Sequence, residues 1–456
     1  MRLIFILIAF FSFSLQAAAK SPENPEEKPY QKLIQLYTEC IQSEDAIFNK
    51  LSFELSSDQL INTGSHLKLT LSDNFGRTWI FKPCDAGSFD EYRASVGYRI
   101  YKLFGLDSPE THPITLTLNG KTEKGSIQRY VEALPGLSGF REYAQSGPAA
   151  QNEITEHKLK LAPEAVSYLV KAQILDWLLK SYDGRFDNFI ITSRTDDIAN
   201  SLCRVDLEGL LREEDGVYNY DDMIYEPKQW WFKKKRIAYF WILQEFNSGK
   251  INFDWKANLP FVEFVAGIPD DFLKLQILPV KIGHFPASGE KDIQNGKFTD
   301  SIIQAKKNLR DDFGRFYEKL TGEPGNGGWY SLEGKDDEIS KVCDVLSRRV
   351  EELKTEQKSC KDLVARPTKI EARVSPEGYR IVYKFRSYRQ LYPKDKSWKS
   401  EFDRAWRGLS KIEKESSSEP EKEAIRYYKQ RMLLIRAFGF AEVVPTVIDL
   451  SLIKDQ

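Results

Sequence analysis

An apolar run from Leu3 to Leu15 opens the chain behind Met1-Arg2, and Ala17-Ala18-Ala19 then gives way abruptly to polar residues. This is the layout of a secretory signal peptide, so residues 1–19 are set apart from the fold. No cysteine follows to take a lipid anchor, and no later run approaches the roughly 20 apolar residues that span a bilayer. The mature chain is expected to be soluble, exported, and periplasmic or secreted. Its first residues, Ser21 to Lys28, are rich in Pro and Glu and expected to be disordered.

Helical spacing follows from Tyr30 to Leu51. At Leu67-Lys-Leu-Thr-Leu71 the pattern switches to strict alternation, Ser72-Asp-Asn-Phe-Gly76 supplies turn residues, and Arg77-Thr-Trp-Ile-Phe-Lys82 alternates again. The pattern predicts a β-hairpin with Lys82 on the face of Thr78 and Ile80, ended by Pro83, which has no N–H for the ladder. Glu91 to Leu106 reads as a helix with Gly105 at its end, and Ile114–Leu118 and Gly125–Val131 as two more strands. Pro163 opens a strong helix to about Lys180, with Pro near the first helical position. Mostly helical patterns continue to about Val280, including Ile237 to Phe246 and Phe261 to Leu278. After the Glu323-Pro-Gly-Asn-Gly-Gly328 linker comes a helix-rich tail, with a short strand pair expected near Ile370–Phe385 and a charged, mobile stretch at Lys411–Glu423. The class is α+β, divided into an N-terminal β-rich unit over 20–134, a helical unit over 135–324 and a helix-rich accessory unit over 325–456.

Composition changes this picture little. The 456 residues carry a net charge of −1, which argues against bulk attraction to nucleic acid. Five cysteines in an exported chain could form two disulfides, and Cys343 with Cys360, which flank one helical run, is the expected pair. No CxxC or Cys/His cluster points to a metal site. Trp230-Trp-Phe-Lys-Lys-Lys-Arg236 permits peripheral contact with an anionic membrane, although a helix with a buried aromatic end accounts for the same residues.

Three polar elements stand in an order that phosphoryl transfer needs. Lys82 lies on an inner strand, Asp183 and Asn188 follow a helix, and Asp206 follows the apolar Leu202 and Val205. Phosphoryl transfer is catalysed chiefly by positioning and by neutralising charge on phosphate oxygens. Magnesium prefers hard oxygen ligands, and Asn188 and Asp206, at the mouths of two paired strands, would supply them. Asp183 would orient or accept the proton of an attacking hydroxyl. Lys82 would meet the inner phosphates. Asp176, in the helix before the loop, reads as a buried structural acid.

Taken together, these residues resemble the atypical kinases: the phosphatidylinositol 3/4-kinases, above all the type II 4-kinases, the secretory-pathway FAM20-like kinases and the HipA-like kinases. The resemblance covers about Ile61 to Leu211 and rests on Trp79-Ile-Phe-Lys-Pro83, Tyr98–Leu106, Gly125–Glu132, the Ile174–Ile191 segment with Asp183-Gly-Arg-Phe-Asp-Asn188, and Val205-Asp-Leu-Glu208. It implies a two-lobed protein-kinase-like fold with a small β-rich N-lobe and a helical C-lobe. It also implies ATP with Mg2+ or Mn2+, Asp183 as catalytic residue, Asn188 and Asp206 as metal ligands, and Lys82, Gln128 and Tyr130 at the nucleotide. Ala94 stands where the family's lysine-pairing acid is expected, and Glu91 one turn earlier is the candidate substitute. Gly184 follows the catalytic aspartate in place of arginine, and Asn62-Thr-Gly-Ser65 is the one candidate for a phosphate-covering loop. An inactive kinase-fold binding module and a kinase-fold nucleotidyl transferase therefore stand beside an exported phosphotransferase acting on a protein or lipid hydroxyl.

Overall fold

The alternation at Leu67–Leu71 and Arg77–Lys82 folds as expected into β2 (Leu69–Asp73) and β3 (Thr78–Pro83). Asp73, buried at their turn, accepts the N–H groups of Phe75 and Arg77 and the indole N–H of Trp79, while Gly76 takes the positive φ. The computed structural model describes residues 28–56, 67–84, 91–132, 134, 160–179, 181, 188–196, 198–207, 246, 248–249, 254–277, 295–322, 334–363, 368–370, 374–391 and 397–438. Signal peptide, linker and the Ile237–Glu245 part of the expected helix lie outside them.

Around this hairpin a six-stranded sheet forms in the order β1-β2-β3-β5-β4-β9, adding β1 (Phe53–Leu55), β4 (Thr111–Leu118), β5 (Lys121–Arg129) and β9 (Lys369–Ile370). All pairs are antiparallel except β4–β9. Asn119 and Gly120 join β4 to β5 at φ values of 50° and 78°, the left-handed turn that an Asn-Gly dipeptide favours. On one face of β3, Trp79 and Phe81 are fully buried beneath α1 (Lys28–Phe48), where Phe48 contacts Trp79. The opposite face carries Ile80 and Lys82.

The helix after β3 is α2 (Arg93–Leu103), and Gly105 beyond it has a φ of 69°. A second sheet, β6-β8-β7, comprises β6 (Lys160–Leu161), β7 (Phe189–Thr195) and β8 (Ile198–Arg204). Beside it runs α3 (Pro163–Leu178), which starts from an extended Ala162 and is buried on nearly every side. Helices α4 (Leu259–Gly267), α5 (Asp270–Ile277), α6 (Asn295–Thr321) and α7 (Lys335–Ser359) follow. The expected single helix over Phe261–Leu278 is two, because Ile268 is extended ahead of Pro269, as a residue before proline prefers to be. Helix α7 packs along α1, and Ile339, Val342, Leu346, Val350 and Leu353 form its buried stripe.

Three sequence expectations fail here. The strand pair near Ile370–Phe385 is β9 alone, followed by α8 (Pro376–Leu391), in which Tyr379, Val382 and Phe385 are buried at three-residue spacing. Lys411–Glu423 is not a loose stretch but the meeting of α9 (Trp398–Glu415) and α10 (Glu419–Phe438). Lys411, Lys414, Glu415 and Glu419 are exposed while Leu409, Ile412, Ala424 and Ile425 are buried, and Ser418 caps α10 by accepting the Glu421 N–H at 3.4 Å. All five cysteines are free thiols. Cys343 lies on α7 and Cys360 just past its end, so the rise of the helix holds them about 25 Å apart, far beyond disulfide reach.

The strand and helices after the linker attach directly to the first sheet. Asn119 donates to the Val374 carbonyl at 2.7 Å, and Glu421, buried, accepts from Lys121 at 3.0 Å. A charged network fastens α1 below. His112 of β4 stacks on Phe48 at 4.0 Å and bridges Glu110 at 2.8 Å and Asp45 at 3.3 Å. Burial alone would push this imidazole's pKa down, but hydrogen bonds to Asp45 and Glu110 outweigh it and hold the value above normal.

Candidate functional site

Strand alternation places Lys82 opposite Ser126, and Ile80 opposite Gln128, on the face of the first sheet that points away from α1. Pro83 is the last residue of β3, although Cys84 still donates to the Lys124 carbonyl at 2.8 Å. Across from Pro83 the side chain must be absent, because a Cβ on Gly125 would collide with the Lys82 carbonyl oxygen and the Phe81 ring. Gly125 thereby sets how closely β5 approaches the lysine. Gln128 is buried, and Tyr130 continues its face of β5, with its N–H donating to the Thr78 carbonyl at 3.0 Å.

The second sheet meets this face at the open ends of β7 and β8. Phe189 pairs with Arg204, and the ladder closes with the Val205 N–H donating to the Asn188 carbonyl at 2.8 Å. Asn188 is thus buried at the mouth of one strand, and the partly exposed Asp206 stands at the mouth of the other, as the sequence predicts. Asp206 has a φ of 60°, a left-handed conformation that aspartate tolerates better than most side chains. Its Oδ1 accepts from the Lys82 Nζ at 2.9 Å, with the lysine side chain 8% and the carboxylate 22% exposed. One ion pair therefore joins the two sheets.

Behind the strand mouths lies a second pair with no exposure at all. Arg204 donates to Asp176 of α3 at 3.3 Å, and both side chains are 0% exposed. The same guanidinium reaches the carbonyls of Val205 at 3.4 Å and Asn188 at 3.5 Å and sits 4.8 Å above the Phe189 ring. Asp176 also accepts the Tyr101 hydroxyl of α2 at 2.7 Å, and its carbonyl takes the Ser181 N–H at 2.7 Å. Burial, reinforced by the Asp176 charge, raises the Tyr101 hydroxyl well above its ordinary pKa, so it stays protonated and donates. Tyr168 accepts the Arg204 N–H at 2.8 Å and donates to the Asp107 carbonyl at 2.5 Å. Burial raises its pKa too. The reading of Asp176 as a structural acid matches this geometry. Arg204, Tyr101 and Tyr168 were not singled out from sequence. The available signal was an arginine ending the otherwise apolar Leu202-Cys203 run, directly before Val205-Asp206.

The proposed site residues do not all converge. Glu91 lies 3.9 Å from Lys124, so the ion pairs among the described residues join Lys82 to Asp206 and Glu91 to Lys124. Ala94 is buried. Asp183, its neighbour Asp187, the Asn62–Ser65 candidate loop and Trp230–Arg236 lie outside the described residues. No group of three His, Cys, Asp or Glu side chains gathers for a metal among the described residues, so an ion here would need the Asn188 amide or ligands brought by the substrate. The donors at hand, a carboxylate and an amide oxygen, suit a hard divalent cation.

No protein-family model matches this chain. No curated protein matches it. Among solved structures it is similar to a Helicobacter pylori proinflammatory kinase, CtkA, at 13% identity and a TM-score of 0.27, over 66% of this chain and 97% of that one. The likeness is weak.

Proposed function

We propose that this chain is an exported, ATP-dependent phosphotransferase that moves the γ-phosphoryl group of ATP, with Mg2+ or Mn2+, to a hydroxyl of a protein or lipid. The observation that carries the reading is the ion pair between Lys82 and Asp206, set beside Asn188 where two sheets meet. In this reading Lys82 exchanges Asp206 for the inner phosphates, and Asp206 and the Asn188 side chain hold the metal. The bound metal supplies neutralisation of phosphate charge. Gln128 and Tyr130, on the face shared with Lys82, line the nucleotide side, and Asp183 takes the proton of the attacking hydroxyl. The rear pair of Arg204 and Asp176 holds the two strand mouths in register.

A second reading, a nucleotide-binding module without turnover, is favoured by one observation: Glu91 pairs with Lys124, and α2 itself carries no aspartate or glutamate. Thermal-shift titration with ATP, with and without Mg2+ or Mn2+, tests both. A ligand that binds only the folded state raises the melting temperature by mass action. A metal-dependent rise that disappears in Asp206→Ala supports the site, and no rise with either metal removes it. Radiolabelled ATP incubated with lipids and a cell lysate then separates the two readings. Label in an acceptor, lost in Asp183→Ala while nucleotide binding persists, supports transfer. Binding without label supports the silent module.

A further inference from the structure

The last three helices, α8 to α10, stand apart electrostatically. Residues 376–438 carry 16 lysines and arginines against 9 aspartates and glutamates, a surplus of positive charge in a chain whose net charge is −1. Between α9 and α10 runs an open groove of about 590 Å3 lined by Phe402, Asp403, Trp406, Arg407, Leu433 and Arg436. Its floor is aromatic. Phe402 is 7% exposed and stacks on Trp406 with ring centroids 5.6 Å apart, while Leu433 on the rim is 46% exposed.

The rim holds two exposed arginines. Arg407 donates to the Asp403 carbonyl at 3.2 Å, and the Arg436 guanidinium lies 4.9 Å above the Phe402 ring. Neither has a carboxylate partner among the described residues. This contrasts with the neighbouring Arg404, Arg426 and Lys429, which pair with Glu401, Glu419 and Glu413. Arginine over an aromatic ring still presents its N–H fork to a carboxylate, and the pairing is strongest where planar, bidentate geometry is available.

We propose that this groove docks an acidic peptide segment of a partner protein, with an apolar or aromatic side chain seated between Trp406 and Leu433 and flanking carboxylates paired to Arg407 and Arg436. Two observations choose a peptide over a lipid surface. Binding to a bilayer requires apolar side chains that protrude into the headgroup region. Here the rings form the floor of a recess, and Leu433 alone of the lining residues is a large exposed hydrophobic. Asp403, at the same rim, restricts where a partner's carboxylates can lie and so confers register. The proposal does not depend on the phosphotransferase reading.

The test is fluorescence anisotropy on the full chain, using a dye-labelled peptide of alternating Glu and Asp around one central Phe. Controls are the same peptide with Lys for each acid, and the acidic peptide with Ala for Phe. Binding of the first peptide alone is expected, weakened tenfold or more by Arg407→Glu or Arg436→Glu and by raising salt from 50 to 300 mM. Both arginines are exposed, so the variants should fold, and unchanged circular dichroism melts check this. Trp406→Leu should likewise weaken the Phe peptide. The proposal is overturned if the acidic peptide does not bind, or binds equally to the charge-reversed variants. It is also overturned if Arg407 and Arg436 instead govern co-sedimentation with phosphatidylserine vesicles.

Discussion

Two cation–carboxylate pairs lie within a few residues of each other, one sealed and one open. Arg204 and Asp176 are wholly buried and surrounded by Tyr101, Phe189 and the carbonyls of Asn188 and Val205. Lys82, near the end of the inner strand β3, and Asp206, just past β8, meet where the two sheets approach, and the carboxylate keeps 22% of its surface exposed. A sealed pair has already lost its water and can be broken only at a high desolvation cost, whereas a partly open carboxylate can exchange its partner for a ligand. The contrast separates a part that holds the site from a part able to act.

The comparison is broken most severely at the sealed pair. Arg204→Met should lower unfolding free energy by about 3–5 kcal/mol, because it leaves Asp176 as a buried charge without its cation. Urea titration measures this, and a loss under about 1 kcal/mol would remove the distinction from surface pairs. Tyr101→Phe takes one donor from the same carboxylate and should cost about 1–3 kcal/mol. Its midpoint, measured in parallel, should fall between those of Arg204→Met and wild type.

A third buried pairing, His112 with Asp45 and Glu110, sharpens the comparison through pH. The folded imidazole's pKa is raised above about 6.5, so the stability it contributes is complete below that pH and lost as pH rises through the folded value. The pKa values of Glu110 and Asp45 are lowered despite burial, chiefly by the His112 hydrogen bond. Their contribution is complete above about 4.5 and lost as pH falls through their folded values. Stability should therefore be highest between about 4.5 and 6.5 and decline above it, and His112→Gln should flatten that alkaline decline. A wild-type melting temperature that rises from pH 6 to 9 contradicts the network. The smallest stability change belongs to the open pair. Lys82→Met keeps the buried stem and should alter unfolding free energy by about 1 kcal/mol or less, while removing any melting shift caused by ATP with magnesium. If stability and nucleotide response fall together, the open pair is structural as well.

Much of the open site was legible locally. Alternation through Arg77–Lys82 put Lys82 on its face, and the apolar runs at Phe189–Ile191 and Leu202–Val205 put Asn188 and Asp206 at adjacent strand mouths. Both follow from a side-chain period of two and need no long-range contact. Other local signals were present but outweighed. The aromatic and β-branched residues of Tyr379–Phe385 suggested strands although their spacing is helical, and the charges of Lys411–Glu423 masked the Ser418-Glu-Pro-Glu421 cap. The partner of Lys82 was expected on the following helix, at Glu91. That choice is made by how the second sheet approaches the first, which no pattern within β3 or α2 encodes.

By itself, the sequence determined the periodic elements, the turns at Asp73–Gly76 and Asn119-Gly120, and which side chains stand at strand ends, because backbone sterics and alternation act within a few residues. The tertiary structure alone decided that Lys82 meets Asp206, and that Arg204 from β8, Asp176 from α3 and Tyr101 from α2 close into one buried knot. The same holds for β9, which joins the edge of β4 from some 250 positions further along the chain. Such pairings depend on desolvation and on the packing of distant elements, and burial is a property of the assembled core rather than of any stretch of chain.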